Sequence, residues 1–328
     1  MADIETPRTA DARGQAPIPE VERRVPNVGP QPGGHEREFT VKARTQRQMV
    51  VSRFLQHKAA VVSLVVLVFL IVLSLVGGRL WKYGYAELTP ELSEGPSWEH
   101  PFGTDGIGHD AFAQVLRGAQ KSVQVALVVA LLSTAFGTFV GALAGFYRGW
   151  VDAVLMRVTD LFLVVPSIAL FALLGRRVST GGGTAWLFIA LIIAAVFWMS
   201  IARVVRGVFL SLREKEFVEA ARALGASNTR IITKHLLPNA VGPIIVNATI
   251  AVAVAILVET ALSYLGLGIK PPDTSLGLLV AQGQQAASTR PWLFYFPGLF
   301  IILIALCVNF LGDGLRDAFD PTQQRVRA

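Results

Sequence analysis

The chain has 328 residues, of which 52% are hydrophobic and only 16% charged, and its mean hydropathy is +0.51. A soluble domain carries about a quarter charged residues, so this composition excludes an ordinary soluble protein, and repeated apolar stretches long enough to cross a bilayer indicate an integral membrane protein. The net charge of +7 is compatible with a nucleic-acid partner. The positions of the basic residues have to decide whether the charge serves nucleic-acid binding or orientation in the membrane. The single cysteine, Cys307, excludes an intrachain disulfide.

In chain order, a proline- and arginine-rich tail comes first and is expected to be disordered over residues 1–47. The first apolar span and an extracytoplasmic segment follow over 48–118, then a core transmembrane domain over 119–320 and a short C-terminus over 321–328. Hydropathy predicts an all-α protein with six transmembrane helices, at residues 59–76, 122–146, 153–175, 184–205, 241–265 and 294–312.

The basic residues predict the orientation in the membrane. Six spans place both termini on one side, together with the loop 206–240. Eight of the 30 lysines and arginines fall on the opposite side, which leaves 22 with the termini: Arg79, Lys82, Arg117, Lys121, Arg176, Arg177, Lys270 and Arg290. Basic residues accumulate on the cytoplasmic side of membrane proteins, so we expect both termini and this loop in the cytoplasm.

Small residues and prolines within the spans predict how the helices pack. A stripe of small residues at four-residue intervals lets a second helix approach closely, and the second span carries Ser133, Gly137, Gly141 and Gly145. The prolines at 166, 243 and 297 predict kinks or helix ends.

Polar residues elsewhere predict structural roles rather than catalysis or metal binding. The spacing of His100, Asp105, His109 and Asp110 does not fit a zinc site, and we expect capping or solvated roles, with Asp110 at the start of a short helix that ends near Gly118. Two further pairs are expected to bond. Arg157 and Asp160 lie on one helix face, and Asn247 and Asn309 are expected to bond across a helix interface. No catalytic constellation and no metal site is predicted.

The most polar stretch in the second half, residues 216–240, predicts an amphipathic helical hairpin. Its first helix has an apolar face at i, i+3, i+4 and i+7, formed by Phe217, Ala220, Ala221 and Leu224. Gly225 is placed where a helix end needs a positive φ, Ser227 is placed to cap the second helix, and Pro238 is expected to end it.

A hairpin of this kind also suggests a DNA-binding helix-turn-helix. That motif needs a third helix to complete its core and a recognition helix free to enter the major groove. About 35 residues between two spans leave no room for the third helix, and the basic residues alternate with acids. We therefore interpret the segment as a protein-docking element and expect no nucleic-acid partner.

Within this hairpin, the sequence EAARALGASNTRIITKHLLP resembles the EAA signature of permease subunits of bacterial ATP-binding-cassette (ABC) importers. The matching positions are Glu219, Ala220, Ala221, Gly225, Leu237 and Pro238, and His235 is typical of the dipeptide, oligopeptide and nickel branch. Segments 100–122, 259–280 and 312–321 resemble the same branch, although Leu276 stands where a tryptophan is common and His109 where an arginine is usual. Their order is similar to that of the C-type permease of peptide importers.

The resemblance implies a type I ABC importer permease fold with cytoplasmic coupling helices in an EAA loop at 212–238. It also implies a bacterial plasma-membrane location, with membrane lipid around the chain. Three kinds of protein partner are implied: a homologous permease, two cytoplasmic ATPases and an extracytoplasmic binding protein. No phosphate-binding G-x-x-x-x-G-K-[ST] loop is present in the sequence, so ATP and Mg are expected on the ATPases and no cofactor on this chain.

The implied function is uptake of di- or oligopeptides, with nickel or another small solute as the alternative. A secondary carrier driven by an ion gradient is a further alternative, which predicts inverted repeats and ionisable groups near the bilayer midplane. The sequence shows no internal repeat, and its ionisable residues cluster near the ends of the spans rather than near the midplane.

One acidic residue, Glu259, falls in the outer half of the fifth span. A carboxylate at that depth is costly unless it faces water, protein or a partner. It is therefore expected to face the path between two permeases and to hold an outer gate through hydrogen bonds, with Asn247 and Tyr264 as further path or gate residues. The alternative is a side chain that reaches the outer headgroups.

Overall fold

Helices dominate the computed structural model, which describes residues 46–175 and 184–319. In these ranges they are α1 (Gln46–Gln56), α2 (Lys58–Leu80), α3 (Ala111–Tyr147), α4 (Gly149–Val164), α5 (Ser167–Gly175), α6 (Ala185–Arg213), α7 (Glu216–Ala223), α8 (Asn228–Tyr264), α9 (Leu276–Gln285) and α10 (Trp292–Phe319). Two of them, α2 and α8, contain a π-helical turn, at Leu73–Gly77 and Ile231–Leu236. The only pairings of β type in the described ranges are two isolated bridges, so the all-α class is confirmed. Residues 1–45 of the tail predicted at 1–47, and the whole C-terminus predicted at 321–328, lie outside the described residues.

The expected six spans are present with one change. In the described part of the chain, α2, α3, α6, α8 and α10 are each long and apolar enough to cross a bilayer, and α4 with α5 makes a sixth span if the pair is counted as one. That pair is bent by 75°, so the span predicted at 153–175 is broken within its length, and the kink or helix end predicted at Pro166 is confirmed. The break lies at Pro166, which has no backbone N–H and forces the preceding Val165 out of helical geometry, to φ −71° and ψ 124°.

The helix that follows Asp110 is also longer than predicted. It continues through Gly118 as far as Tyr147. Gly118 is a point of close approach rather than a helix end, because a Cβ atom there would lie 3.0 Å from the backbone nitrogen of Leu276. Pro243 and Pro297 likewise lie within α8 and α10 and end neither helix.

The stripe of small residues on α3 packs against α6, as the sequence predicts. A Cβ atom on Gly137, Gly141 or Gly145 would lie 2.4–2.7 Å from a carbonyl oxygen of α6. The two backbones are therefore in direct van der Waals contact along three turns, which only glycine permits. Helix α3 also contacts α8, and α10 packs against α2 and α8.

The segment between α2 and α3 lies over one end of the bundle and is tied down by two histidine–aspartate pairs. Nδ1 of His100 lies 2.7 Å from a carboxylate oxygen of Asp110, and both side chains are buried. Asp110 also accepts a hydrogen bond of 2.7 Å from the backbone N–H of Ala113, which confirms its capping role. Asp105 and His109 form the second pair, at 2.8 Å.

Two expected side-chain pairs do not form. Asp160 lies 2.5 Å from Arg203 of α6 rather than bonding to Arg157 on its own helix. The amide of Asn247 donates to the carbonyl of Pro243 in its own helix, at 2.8 Å, and Asn309 is exposed. Local back-bonding satisfies the Asn247 amide, so it needs no partner across the interface.

Candidate functional site

The loop between α6 and α8 has the geometry of a rigid helical hairpin. Gly225 has φ +78°; its N–H bonds to the carbonyl of Arg222 and the N–H of Ala226 to that of Ala221, both at 3.0 Å. This pair of bonds is a Schellman motif, with Gly225 in the left-handed position. Ser227 then accepts a hydrogen bond from Arg230 N at 3.4 Å and starts α8. The positive φ and the cap are both confirmed.

The buried face of α7 differs from the predicted one. Val218 and Ala221 are buried, and Val218 anchors the hairpin to the ends of α3 and α6 in a cluster with Phe209 and Ile231. Three of the four residues in the predicted stripe are exposed: Phe217, Ala220 and Leu224. The sequence pattern therefore contained two faces, one packed inside the chain and one left outside it.

Pro238 does not end the second helix, contrary to the prediction. The chain winds as a π-helix over Ile231–Leu236 and continues without a break into the long span. This wider turn places Pro238 in the first turn of the α-helical part of α8, where its missing N–H leaves no bond unmade. The side-chain amide of Asn239 donates to the carbonyl of His235 at 2.6 Å. His235, Leu237 and Pro238 are all at least partly accessible.

At the far end of α8, Glu259 is completely buried inside the chain. Its two oxygens accept hydrogen bonds from the hydroxyls of Ser122 on α3 and Ser263 on α8, at 2.8 and 2.7 Å. Ser275 donates to Ser263 at 3.1 Å, and the backbone N–H of Leu276 donates to Ser122 at 3.3 Å. The carboxylate thus joins α3, α8 and the start of α9 through hydroxyl groups.

This burial corrects the expectation for Glu259. A side chain with zero exposure faces neither a path between two permeases nor the outer headgroups, and its donors lie within its own chain. Its hydrogen-bond donor on a neighbouring helix is the hydroxyl of Ser122. The other two residues expected at the path make different contacts: Asn247 bonds within its helix, and the exposed Tyr264 donates to Gln284 of α9.

Comparison with known proteins identifies the family. A model of the "binding-protein-dependent transport system inner membrane component" matches residues 137–325, and a model of the "N-terminal TM domain of oligopeptide transport permease C" matches residues 45–96. The chain belongs to this family of transport permeases. Because the first model spans more than half of the chain, the assignment does not depend on the short signatures alone.

Individual relatives agree with the family models. The permease is 45% identical over 284 residues to the oligopeptide transport system permease protein OppC of Mycobacterium bovis, which covers 86% of this chain and 97% of the relative. It is 37% identical over 305 residues to the dipeptide transport system permease protein DppC of Alkalihalophilus pseudofirmus, covering 92% and 98%.

A solved structure agrees on the fold. A chain of the inward-facing MetNI methionine ABC transporter superposes with a TM-score of 0.52 at 21% identity, over 63% of the permease and 96% of that chain. The permease therefore has the fold of an ABC importer permease and is a multi-pass membrane protein.

The predicted site residues of the permease lie on α7 and along α8. The signature residues lie on α7, in the turn after it and at the start of α8, whereas Asn247 lies in the middle of α8 and Glu259 and Tyr264 lie near its end. Sequence reasoning missed Val218, Ser122 and Ser275. The apolar side chain of Val218 could have been found from the second face of α7, whereas the two serines lie far from Glu259 in sequence and carry no local signal.

Proposed function

We propose that this permease forms, with a homologous permease, the membrane path for uptake of di- or oligopeptides, driven by ATP hydrolysis on partner subunits. Its relatives named as oligopeptide and dipeptide transport permeases support peptides as the substrate class. The observation that carries the coupling role is the hairpin at α7, which is anchored to the bundle on one face and open on the other. Nickel or another small solute is the alternative substrate.

The open face of α7 is the docking surface of this proposal. Phe217 is 39% exposed and Leu224 is 88% exposed, and Glu219 and Arg222 flank them as accessible charges. Apolar side chains projecting from a polar helix are typical of a helix that inserts into a partner's groove. We assign this groove to a cytoplasmic ATPase, so that closure of two ATPases around ATP and Mg moves α7 and, with it, α8.

The remaining partners follow from the same scheme. A binding protein delivers peptide to the opposite end of the bundle, and the exposed apolar side chains of α4 and α5 face the second permease or lipid. This arrangement sets the permease in the bacterial plasma membrane with both termini and α7 in the cytoplasm.

Substitution of Gly225 tests the coupling role. Nothing lies within 4 Å of a Cβ atom at this position, so Gly225→Val acts through its positive φ and not through a clash. We expect Gly225→Val to reduce peptide uptake at least tenfold while the subunit still reaches the membrane. Gly225→Asn is the matched control, because asparagine tolerates left-handed geometry, and it should retain most uptake.

The charge of Glu219 provides a second test of docking. Glu219→Lys should reduce the amount of ATPase that co-purifies with the permease, since the residue is exposed on α7, away from the buried Val218 and Ala221. Normal uptake by both Gly225→Val and Glu219→Lys, with normal ATPase recovery, would overturn the coupling role.

The substrate class is tested by uptake in cells that lack their own peptide importers. Cells with the complete complex should accumulate a labelled tripeptide in a manner that needs ATP and the binding protein. Accumulation of nickel without peptide would favour the alternative, and uptake that persists without the ATPases would favour a carrier.

A further inference from the structure

A cavity of about 530 Å³ opens at the end of the bundle opposite to α7. Its walls come from the segment between α2 and α3, the loop that precedes α9, α9 itself and the start of α10. The volume lies within the range of about 300–1,000 Å³ that is typical of small-molecule sites. Aromatic and apolar side chains form much of the lining, among them Tyr85, Trp292 and Phe296.

The two carboxylates that line this cavity are already satisfied. Asp273 is held by Arg117 at 2.9 Å and by Lys121 at 3.2 Å. Asp105 accepts hydrogen bonds from two backbone N–H groups of its own loop and contacts His109. Neither carboxylate is placed to neutralise another cation of the lining.

Arg290 is the lining cation that is left without a carboxylate among the described residues. Its guanidinium has one side-chain partner in that part of the chain, the hydroxyl of Ser93, which Nη1 approaches to 2.9 Å. A Cβ atom on Gly106 would lie 2.6 Å from the same nitrogen. The glycine therefore leaves the room that the guanidinium occupies, and most of the Arg290 donors remain available.

An independent feature of the same cavity is the hydroxyl of Thr274. This residue lines the cavity and is 6% exposed, and its Oγ1 is buried without a hydrogen-bond partner. Buried polar atoms are rarely left unpaired, so an unpartnered hydroxyl on a residue that lines the same cavity as Arg290 indicates a polar ligand there.

We infer that this cavity binds a short peptide through its C-terminal carboxylate, which Arg290 holds. Among the described lining residues, Arg290 is the one arginine or lysine, and the two lining carboxylates are engaged by other groups: Asp273 by Arg117 and Lys121, and Asp105 by its own loop and His109. A guanidinium matches a carboxylate with two parallel hydrogen bonds, and the aromatic walls suit peptide side chains. The inference rests on the proposed peptide uptake and adds a second peptide site, outside the binding protein.

The test measures peptide binding to the complete transporter in lipid nanodiscs, without binding protein or nucleotide. Isothermal titration calorimetry compares trialanine with trialanine amide on the wild type and on Arg290→Gln. We expect saturable binding of trialanine to the wild type, and at least tenfold weaker binding either when the amide replaces the acid or when glutamine replaces Arg290. Binding of trialanine amide to Arg290→Gln should be little weaker than after either change alone, because both changes remove the same contact.

Three further variants sharpen the result. Gly106→Ala should weaken trialanine binding, since its methyl group displaces the guanidinium, and Arg290→Lys should restore part of the affinity lost in Arg290→Gln. Arg79→Gln removes a cation that lies outside the cavity lining and should bind trialanine as the wild type does. Equal yield and equal assembly of all variants, by size-exclusion chromatography, exclude misfolding as the cause.

Several outcomes would overturn the inference: no saturable binding, equal affinity of the wild type for acid and amide, or an Arg290→Gln substitution that weakens the binding of acid and of amide by the same factor. Weaker association of the binding protein with Arg290→Gln, with peptide binding unchanged, would assign Arg290 to an acidic partner surface instead. Peptide uptake by cells that persists without cavity binding defeats this inference alone. Binding without any uptake of peptide by the cells defeats the proposed function alone.

Discussion

A single buried carboxylate connects three helices at the end of the bundle opposite to the coupling hairpin. Both carboxyl oxygens of Glu259 are acceptors of hydrogen bonds, so the side chain depends on the donors that surround it. Ser122 and Ser263 supply them directly. Buried networks of this kind are stable when complete and costly when one member is lost, so this network holds α3, α8 and α9 in one arrangement.

Substitution of Glu259 should separate shape from hydrogen bonding. Glu259→Gln keeps the shape and one acceptor and should retain partial transport. Glu259→Leu leaves two serine hydroxyls unpaired, at about 1–3 kcal/mol each, and should impair uptake or raise ATP hydrolysis in the absence of binding protein. Uptake assays and the ATPase activity of the purified complex measure both effects.

Thr260→Val is the matched control for the two Glu259 variants, because the neighbouring Thr260 hydroxyl has no hydrogen-bond partner in the described part of the chain. It should behave as the wild type. Normal uptake and unchanged ATP hydrolysis in Glu259→Leu would leave the carboxylate without a role in transport.

Asp273 lies outside the spans and gives a prediction about pH. Partial burial raises the pKa of Asp273, but hydrogen bonds from Arg117 and Lys121 outweigh it, so that the pKa is lowered overall. A carboxyl group with a lowered folded-state pKa stabilises the fold above its unfolded pKa of about 4, and this contribution is lost as pH falls through the folded value. Asp273→Asn should therefore lower the apparent melting temperature at pH 7, and the difference from wild type should narrow below about pH 4. A constant difference at every pH would contradict this assignment.

At the scale of the elements, the close contact between α3 and α6 allows a direct test of helix packing. A Cβ atom on Gly141 would lie 2.4 Å from the carbonyl oxygen of Ala202. Gly141→Val must therefore push the helices apart, and we expect less subunit in the membrane and lower thermal stability of what remains. Gly207→Ala is the control on α6, since nothing lies within 4 Å of its Cβ position; it should be neutral or slightly stabilising. Equal abundance of the two variants in immunoblots would show that close contact is dispensable.

The sequence could predict elements whose signals are local. The stripe on α3, the left-handed Gly225 and the cap at Asp110 depend on neighbouring residues, and each is found where it was expected. The effect of proline depends on the surroundings instead: Pro166 breaks a span, whereas Pro238 fits into α8 after a π-helical turn. No spacing rule separates these two cases.

The candidate site likewise has one part that the sequence could predict and one part that it could not. The coupling hairpin was predictable because its signature is contiguous, although its inward face is formed by Val218 and Ala221. The surroundings of Glu259 were not predictable, because Ser122 is 137 residues away in sequence and meets the carboxylate only in the folded bundle. A charge in an apolar stretch showed that partners must exist but could not identify them.

At the scale of the whole molecule, α8 links the two ends of the bundle. It begins one residue after Ser227, next to α7, and reaches Tyr264 after 37 residues, a length of about 55 Å at 1.5 Å per residue. The coupling hairpin and the hydrogen-bond network of Glu259 therefore lie on one continuous helix. A displacement of α7 by a partner would reach that network through this helix, provided that it moves as a rigid element.

The orientation of this helix in the membrane is the last prediction. The basic residues place α7 in the cytoplasm and the cavity end outside, and Ser227 and Ser288 are exposed residues at these two ends. After replacement of the buried Cys307 by alanine, Ser288→Cys should react with a membrane-impermeant maleimide in intact cells. Ser227→Cys should react only after the membrane is permeabilised. The same two cysteines in permeabilised cells control for reactivity. Labelling of Ser227→Cys from outside would reverse the orientation and remove α7 from the reach of any cytoplasmic ATPase.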